Sequence, residues 1–411
     1  MKLKLARRAV LLAALGLAAA GLVWFGVWYW PGRHLRTARA ALRERDYAAA
    51  RASLVRHLEG HPDSAEGHLL LAQLDRRANR YADALEHLDE AERLGAPEGE
   101  VDLEHALLTV QRGVYNARLD QLCYDHLARA DEDRQYLILE ALSQGFSKTY
   151  RLKEAKTCLD RMLVLRLDSG YALRRRAWIF FQDRQYNRAE ADYRRALKVD
   201  PEDRVARLGL AQLLLDVRKN GREAARHFER LARTRRDAAV VLGLGRSWRL
   251  LGRGADARRL LDKWLADHPT DAIALTDRAR LSMDRGATAE AAALLRRAVV
   301  QAPYLDEANY LLLLCAERQG RMADAEACQE RMRQAKKDRE ELAALTARLH
   351  RTPADPDLRC RIAGLFLRLG QEEEGVRWLR TTLDNYPGHR PSQRLLADYI
   401  ARHRRPASGG K

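Results

Sequence analysis

Prolines punctuate this sequence at a nearly fixed interval. Pro201 and Pro269 lie 68 residues apart, Pro269 and Pro303 lie 34 apart, and Pro62 and Pro97 lie 35 apart. Proline disfavours helical geometry in the residue before it, so each marks a helix end. Twelve residues before four of these prolines stands an alanine: Ala50, Ala189, Ala257 and Ala291. Tyr47, Tyr81 and Tyr186 hold the turn position just ahead of that site. A period of this length is too short for an independent core. It restricts the chain to a stack of like units, each burying its faces against its neighbours.

Gly170 to Asp203 is the clearest copy. It reads as two short amphipathic helices broken near Asp183–Gln185 and closed by Asp200-Pro201. Small residues (Ala177, Gly245, Ala279, Ala363) let the helices of a unit approach closely. Larger ones (Phe180, Tyr193, Phe228, Trp248, Trp264, Phe366) fill the gaps.

This pattern resembles the tetratricopeptide repeat family. The family's small, aromatic, Ala, bulky, Ala and Pro positions correspond to Ala177, Phe180, Ala189, Tyr193, Ala196 and Pro201. The next-best copies are Ala238–Asp271, Ala272–Leu305 and Pro356–His389, the last with Gly375 where Ala is usual. The resemblance implies an all-α, right-handed superhelical solenoid of about ten helix-turn-helix repeats.

Two stretches depart from the period. Residues 98–135 keep helical patterning but lack the proline, which makes that unit degenerate. Pro303 to Pro387 spans 84 residues, and the surplus falls in 335–355, where a lengthened helix or hinge is expected. The organisation read from the sequence is therefore a basic segment 1–8, an apolar stretch 9–30 and repeats over 35–334. After the extended helix 335–355 come the last repeat and a capping helix at 356–403, with a disordered tail at 404–411.

Ala9 to Trp30 carries no charge over 22 residues. At ~1.5 Å per residue it is long enough for a ~30 Å hydrocarbon core. Lys2, Lys4, Arg7 and Arg8 precede it, and Trp24, Phe25, Trp28, Tyr29 and Trp30 crowd its far end. A single transmembrane anchor is the expectation, with the repeats outside the cytoplasm. The alternatives are a cytoplasmic repeat domain, because Arg33, Arg36, Arg39, Arg43 and Arg45 follow the span, or secretion after cleavage near Ala18-Ala19-Ala20.

The net charge of +17 raises the question of nucleic acid, but acidic residues are interspersed almost everywhere and no basic arm forms. Arginine-decorated helix faces account for the excess. Five cysteines with no CxxC spacing exclude a disulfide framework or zinc ribbon and read as small buried residues at helix interfaces, with a single Cys315–Cys328 bridge as the alternative.

No catalytic, cofactor or metal constellation emerges. Leu242-Gly243-Leu244-Gly245 lies within a first helix, not at the strand-to-helix turn a phosphate loop requires. His57 and His61 stand one helical turn apart without a third ligand.

In the family, the concave groove is lined by fixed positions on each first helix. Transferred to this sequence, they give Tyr171, Arg174, Trp178 and Phe181 in the opening repeat, then Gln212, Arg246, Arg249 and Arg280, with Leu208, Leu242 and Tyr310 at others. Upstream the same positions fall on Gln73, Arg76, Gln144 and Lys148. Such a lining suits a protein segment carrying apolar side chains and carboxylates. The Lys/Asn set of chaperone-tail binders is absent. The leading expectation is a non-enzymatic, membrane-anchored scaffold without cofactor. The alternatives are a recruiting subunit of an envelope enzyme complex, or a binder of an acidic polymer such as nucleic acid or anionic polysaccharide.

Overall fold

The computed structural model describes residues 30–44, 46–114, 117–349, 352 and 355–403. Ala9–Trp30 lies outside them except for its last residue. Among the described residues no helix is long and apolar enough to cross a membrane.

The described residues form twenty-one helices and no strand. They are α1 Trp30–Glu44, α2 Tyr47–Gly60, α3 Ala65–Arg77, α4 Tyr81–Arg93, α5 Glu98–Arg112, α6 Ala117–Arg129 and α7 Glu132–Lys148. Then follow α8 Leu152–Leu165, α9 Gly170–Gln182, α10 Tyr186–Val199, α11 Arg204–Asp216, α12 Gly221–Thr234, α13 Ala238–Leu250 and α14 Gly254–Asp267. The last are α15 Ala272–Asp284, α16 Thr288–Gln301, α17 Asp306–Arg318, α18 Met322–Leu349, α19 Pro356–Arg368, α20 Glu372–Asn385 and α21 Arg390–His403. The chain divides into two compact units after Lys148.

Local chemistry sets the repeat boundaries. Ser64, Ser169, Asp203, Asp237, Asp271 and Asp355 each cap a first helix, accepting from a backbone N–H of its first turn. The turn inside each pair needs one left-handed residue. Gly252, Gly286, Gly320 and Gly370 supply it, and Tyr150, Arg184 and Lys219 take the same conformation with a side chain present.

Packing follows the small-against-large rule. Ala177, Ala189 and Ala196 are fully buried, and Phe180 and Tyr193 nearly so. Phe228 is buried beneath Gly243, where any Cβ would overlap its ring. Trp248 and Trp264 are only half-buried, because each indole N–H reaches out to a carboxylate, Glu229 at 3.2 Å and Asp271 at 2.8 Å. All five cysteines are free and buried, so Cys315 and Cys328 serve as small core residues rather than a bridge.

In the first unit, α5 packs more extensively on α7 than on its sequence partner α6. Gly145 permits this approach, since a Cβ there would overlap the carbonyl oxygen of Val110. In the second unit, α18 continues without a break to Leu349. Its extension packs Leu345 and Leu349 against Leu358, Ile362 and Trp378, and Asp338 receives two hydrogen bonds of 3.0 Å from Arg368.

Candidate functional site: the inner face of the second unit

Consecutive first helices α9, α11, α13, α15 and α17 touch one another directly and form the inner layer of the second unit. Leu173, Ala177 and Phe180 of α9 face the core. Trp178 and Phe181 are half-buried, and Phe181 meets Tyr186 edge-on at 5.7 Å. Tyr171 is buried, with the Arg174 guanidinium 5.2 Å above its ring. Gln212 is exposed.

The inner-face arginines are each matched to a carboxylate of the following repeat. Arg174 Nη1 lies 2.8 Å from Asp203, and Arg246 Nε donates to both Asp277 oxygens at 2.7 and 2.9 Å. Arg249 reaches Asp284 at 3.4 Å, and Arg280 reaches Glu307 at 2.5 Å. Burial pushes the Asp277 carboxyl up to about 6, against the pull of Arg246. Burial also raises Asp216, which Arg246 and Lys219 oppose. Burial alone would lower Arg246, but the charges of Asp277, Glu307 and Asp216 outweigh it and raise its pKa.

A groove of ≈ 750 Å³ opens where α15, α17 and the long α18 meet. Arg280, Glu307 and Tyr310 line one side; Met332, Lys336 and Arg339 line the other. Tyr310 lines the groove and is 50% exposed, the aromatic side chain among its described lining residues. The α18 wall escaped the sequence reading, which carried groove positions on first helices only. The surplus residues of 335–355 are the signal that could have found it.

In the first unit the equivalent position at Arg76 is used internally, whereas Gln73 and Gln144 are half-buried. Arg76 is 1% exposed, bound to Glu104 and, at 2.7 Å, to Gln111. Arg77 reaches the carbonyl of Leu42 at 2.9 Å and lies 3.6 Å from Glu140, both carboxylates being buried. Lys148 donates to the Tyr81 hydroxyl at 2.7 Å. Arg76 is therefore enclosed within the unit, and the expectation that it lines an open groove is corrected; Lys148 stays half-buried. His57 and His61 stack at 5.0 Å with His57 Nε2 on Ser64, so they do not converge on a common point.

Antiparallel helix pairs stacked side by side, with first helices forming an inner layer, define a helical-repeat solenoid. The sequence profile of the tetratricopeptide repeat matches residues 35–98, 218–272, 251–306 and 276–340, and a second profile of the same repeat matches 170–203. The chain belongs to the tetratricopeptide repeat family. Among curated proteins none matches.

Solved structures of similar fold include a tetratricopeptide repeat protein from Parabacteroides merdae, 18% identical over 69% of this chain and 98% of its own, with a TM-score of 0.35. The C-terminal part of a repeat-containing protein from Cytophaga hutchinsonii is 16% identical over 56% and 93%, with a TM-score of 0.43. YrrB, described as a repeat protein with an unusual peptide-binding site, is 15% identical over 58% and 96%, with a TM-score of 0.32.

Proposed function

We propose that this chain is a non-enzymatic scaffold that captures a segment of a protein partner on the inner face of its second unit. The observation that carries this is the Tyr310 groove, where an exposed aromatic ring sits among apolar and charged side chains. Half-exposed aromatics beside arginines are the side-chain types that dominate peptide affinity. Trp178, Phe181, Arg174, Gln212, Arg246, Arg249 and Arg280 extend the same face, and a segment bearing apolar and acidic side chains complements it. An acidic polymer is the weaker reading, because the inner arginines already hold carboxylates of their own chain.

In this reading Ala9–Trp30 holds the scaffold in a membrane, with the repeats on its extracytoplasmic side. Alkaline extraction of membranes from the expressing cell, with protease treatment of intact cells, tests that placement. Release by alkali or full protease resistance would sink it.

The groove is tested by site-specific photocrosslinking in the full-length protein. A crosslinker at 310 or 178 should trap a partner that a crosslinker at 300, on the exposed Val300 surface, does not. Tyr310→Ala and Trp178→Ala should lose that partner at an unchanged melting temperature. Equal trapping at 300 and 310 would overturn the assignment.

A further inference from the structure

Three consecutive inter-repeat turns of the second unit, 161–171, 195–205 and 229–239, form one continuous edge. Arg195 Nη2 donates to the Leu167 carbonyl at 3.2 Å, and Val199 lies against Gly170. Arg204 bridges the next gap, donating to the carbonyls of Leu231 and Arg235 at 3.3 Å and to Asp237 at 2.5 Å. Hydrogen bonds therefore hold the three turns in a fixed relation.

This edge is apolar and basic at once. Val164 is 81% exposed and Leu167 69%, and Val199 and Val205 are exposed beside them. Single exposed aliphatics are ordinary on a protein surface, but four on adjoining turns make a patch. The same turns carry nine basic and six acidic residues. Glu202, Asp203, Glu229 and Asp237 are matched by Arg230, Arg174, Arg253 and Arg204 in turn. Arg161, Lys198, Arg233, Arg235 and Arg236 are exposed, and among the described residues their side chains have no acidic partner. Helical spacing sets cations beside aliphatics, since Arg161 and Val164 share a face, as do Arg195, Lys198 and Val199. The repeat itself does not demand this. The two following turns, 263–273 and 297–307, each carry one lysine or arginine and two acidic residues.

Side chains this exposed enclose nothing, which sets the edge apart from a peptide groove. Single-stranded nucleic acid is held by stacking on aromatic rings as well as by cations. The only aromatic residue of the three turns, Tyr171, is buried. Aliphatic side chains ringed by free cations match a bilayer interface instead. There the apolar groups enter the acyl boundary, while guanidinium and ammonium groups meet the phosphates of anionic lipid.

We propose that this edge rests on an anionic lipid surface, its four aliphatic side chains entering the headgroup layer and its unpaired cations meeting lipid phosphates. The contact lies outside the Tyr310 groove and does not require Ala9–Trp30 to span a bilayer.

Lipid-borne quenching of a fluorescent amino acid in the full-length protein tests this. The probe stands at 167 or, as a control, at 251, in the turn at the other end of α13. Vesicles of phosphatidylcholine mixed with phosphatidylglycerol should quench 167 and spare 251, and pure phosphatidylcholine should spare both. Arg233→Gln, Arg235→Gln and Arg236→Gln should each lower the ratio of docked to free edge about fivefold, the worth of one basic residue at an anionic surface. Quenching at 167 that is equal in the two lipids would show residues 9–30 acting alone and overturn the assignment. Equal quenching at 167 and 251, no quenching at either, or unchanged quenching in all three variants would do the same. A labelled oligonucleotide that crosslinks at 235 while lipid leaves 167 unquenched would give the cations to nucleic acid instead. If a glutamine variant fails to fold, the comparison of 167 with 251 decides alone. Partner trapping at 310 depends on none of these outcomes, so the two readings fail separately.

Discussion

Tyr150 stacks on Trp378, with ring centroids 5.6 Å apart and planes at 24°. The Tyr150 hydroxyl donates to Glu374, 224 residues further along the chain, at 3.1 Å, and Arg377 lies over its ring. The second unit therefore joins its first turn to its last complete repeat. Burial, reinforced by Glu374, pushes the Tyr150 phenol up to about 12. Phe366 also stacks on Trp378, at 6.2 Å, so the join continues into the core.

A double-mutant cycle measures this contact. Tyr150→Leu, Trp378→Leu and the pair should give a coupling of about 0.5–1.5 kcal/mol in urea unfolding, the range for aromatic pairs. Hydrogen exchange in α20 should speed up in Tyr150→Leu. Additive single effects would mean that the two ends do not support each other.

The buried charges of the first unit predict an asymmetric response. Glu104→Gln leaves the Arg76 guanidinium buried without its anion and should cost about 3–5 kcal/mol. Arg76→Met combined with Glu104→Leu should recover most of that loss, since well-packed apolar replacements avoid the desolvation of both ions. Midpoints in urea at constant slope are the measurement.

Asp277 predicts a pH dependence of defined sign. Its folded value of about 6 lies above the 3.8 of a free aspartate, so the folded state holds the proton more tightly. The associated stability is present below the unfolded value and fades as pH rises through 6. Asp277→Asn does not titrate, so its stability relative to wild type should improve by roughly 2–3 kcal/mol between pH 4 and 7. The carboxyl ¹³C resonance of Asp277 should show its midpoint near 6. Asp338 works in the opposite sense. Arg368 and Gln334 outweigh its burial and hold it below the usual range, so its contribution disappears only in stronger acid.

Arg184 adopts φ 58° at the turn position where Gly252, Gly286 and Gly320 stand in later repeats. A side chain in that conformation costs ~1–2 kcal/mol, and part of this is returned when glycine's extra freedom in the unfolded chain is counted. Arg184→Gly should therefore stabilise the protein by about 0.5–1 kcal/mol, and Gly286→Ala should destabilise it. Paired melting curves settle both.

The repeat was legible because its determinants are local. Ala177, Ala189, Ala196 and Pro201 recur at fixed spacing, and each does its work within one or two units. Tyr150 against Trp378 was not legible, since it depends on small rotations summed over many repeats. Nor was the fate of Arg76, whose spacing marks a groove position while Glu104 and Gln111 of α5 hold it buried. The inner face stands between these cases. Position selected Arg246, Arg249 and Arg280, but only their neighbours in space show what they hold.

Those internal pairs change what the excess positive charge means for recognition. Arg174, Arg246, Arg249 and Arg280 arrive at the inner face with their counterions attached through the backbone of the next repeat. An incoming carboxylate does not meet bare cations; it must displace a resident one, as on an ion-exchange resin whose counterions cannot diffuse away. Discrimination then rests on how well a ligand outcompetes aspartates and glutamates held at fixed positions. An acidic chain of indifferent shape gains little from such an exchange, whereas one whose carboxylates match the spacing of the repeats can displace several residents together.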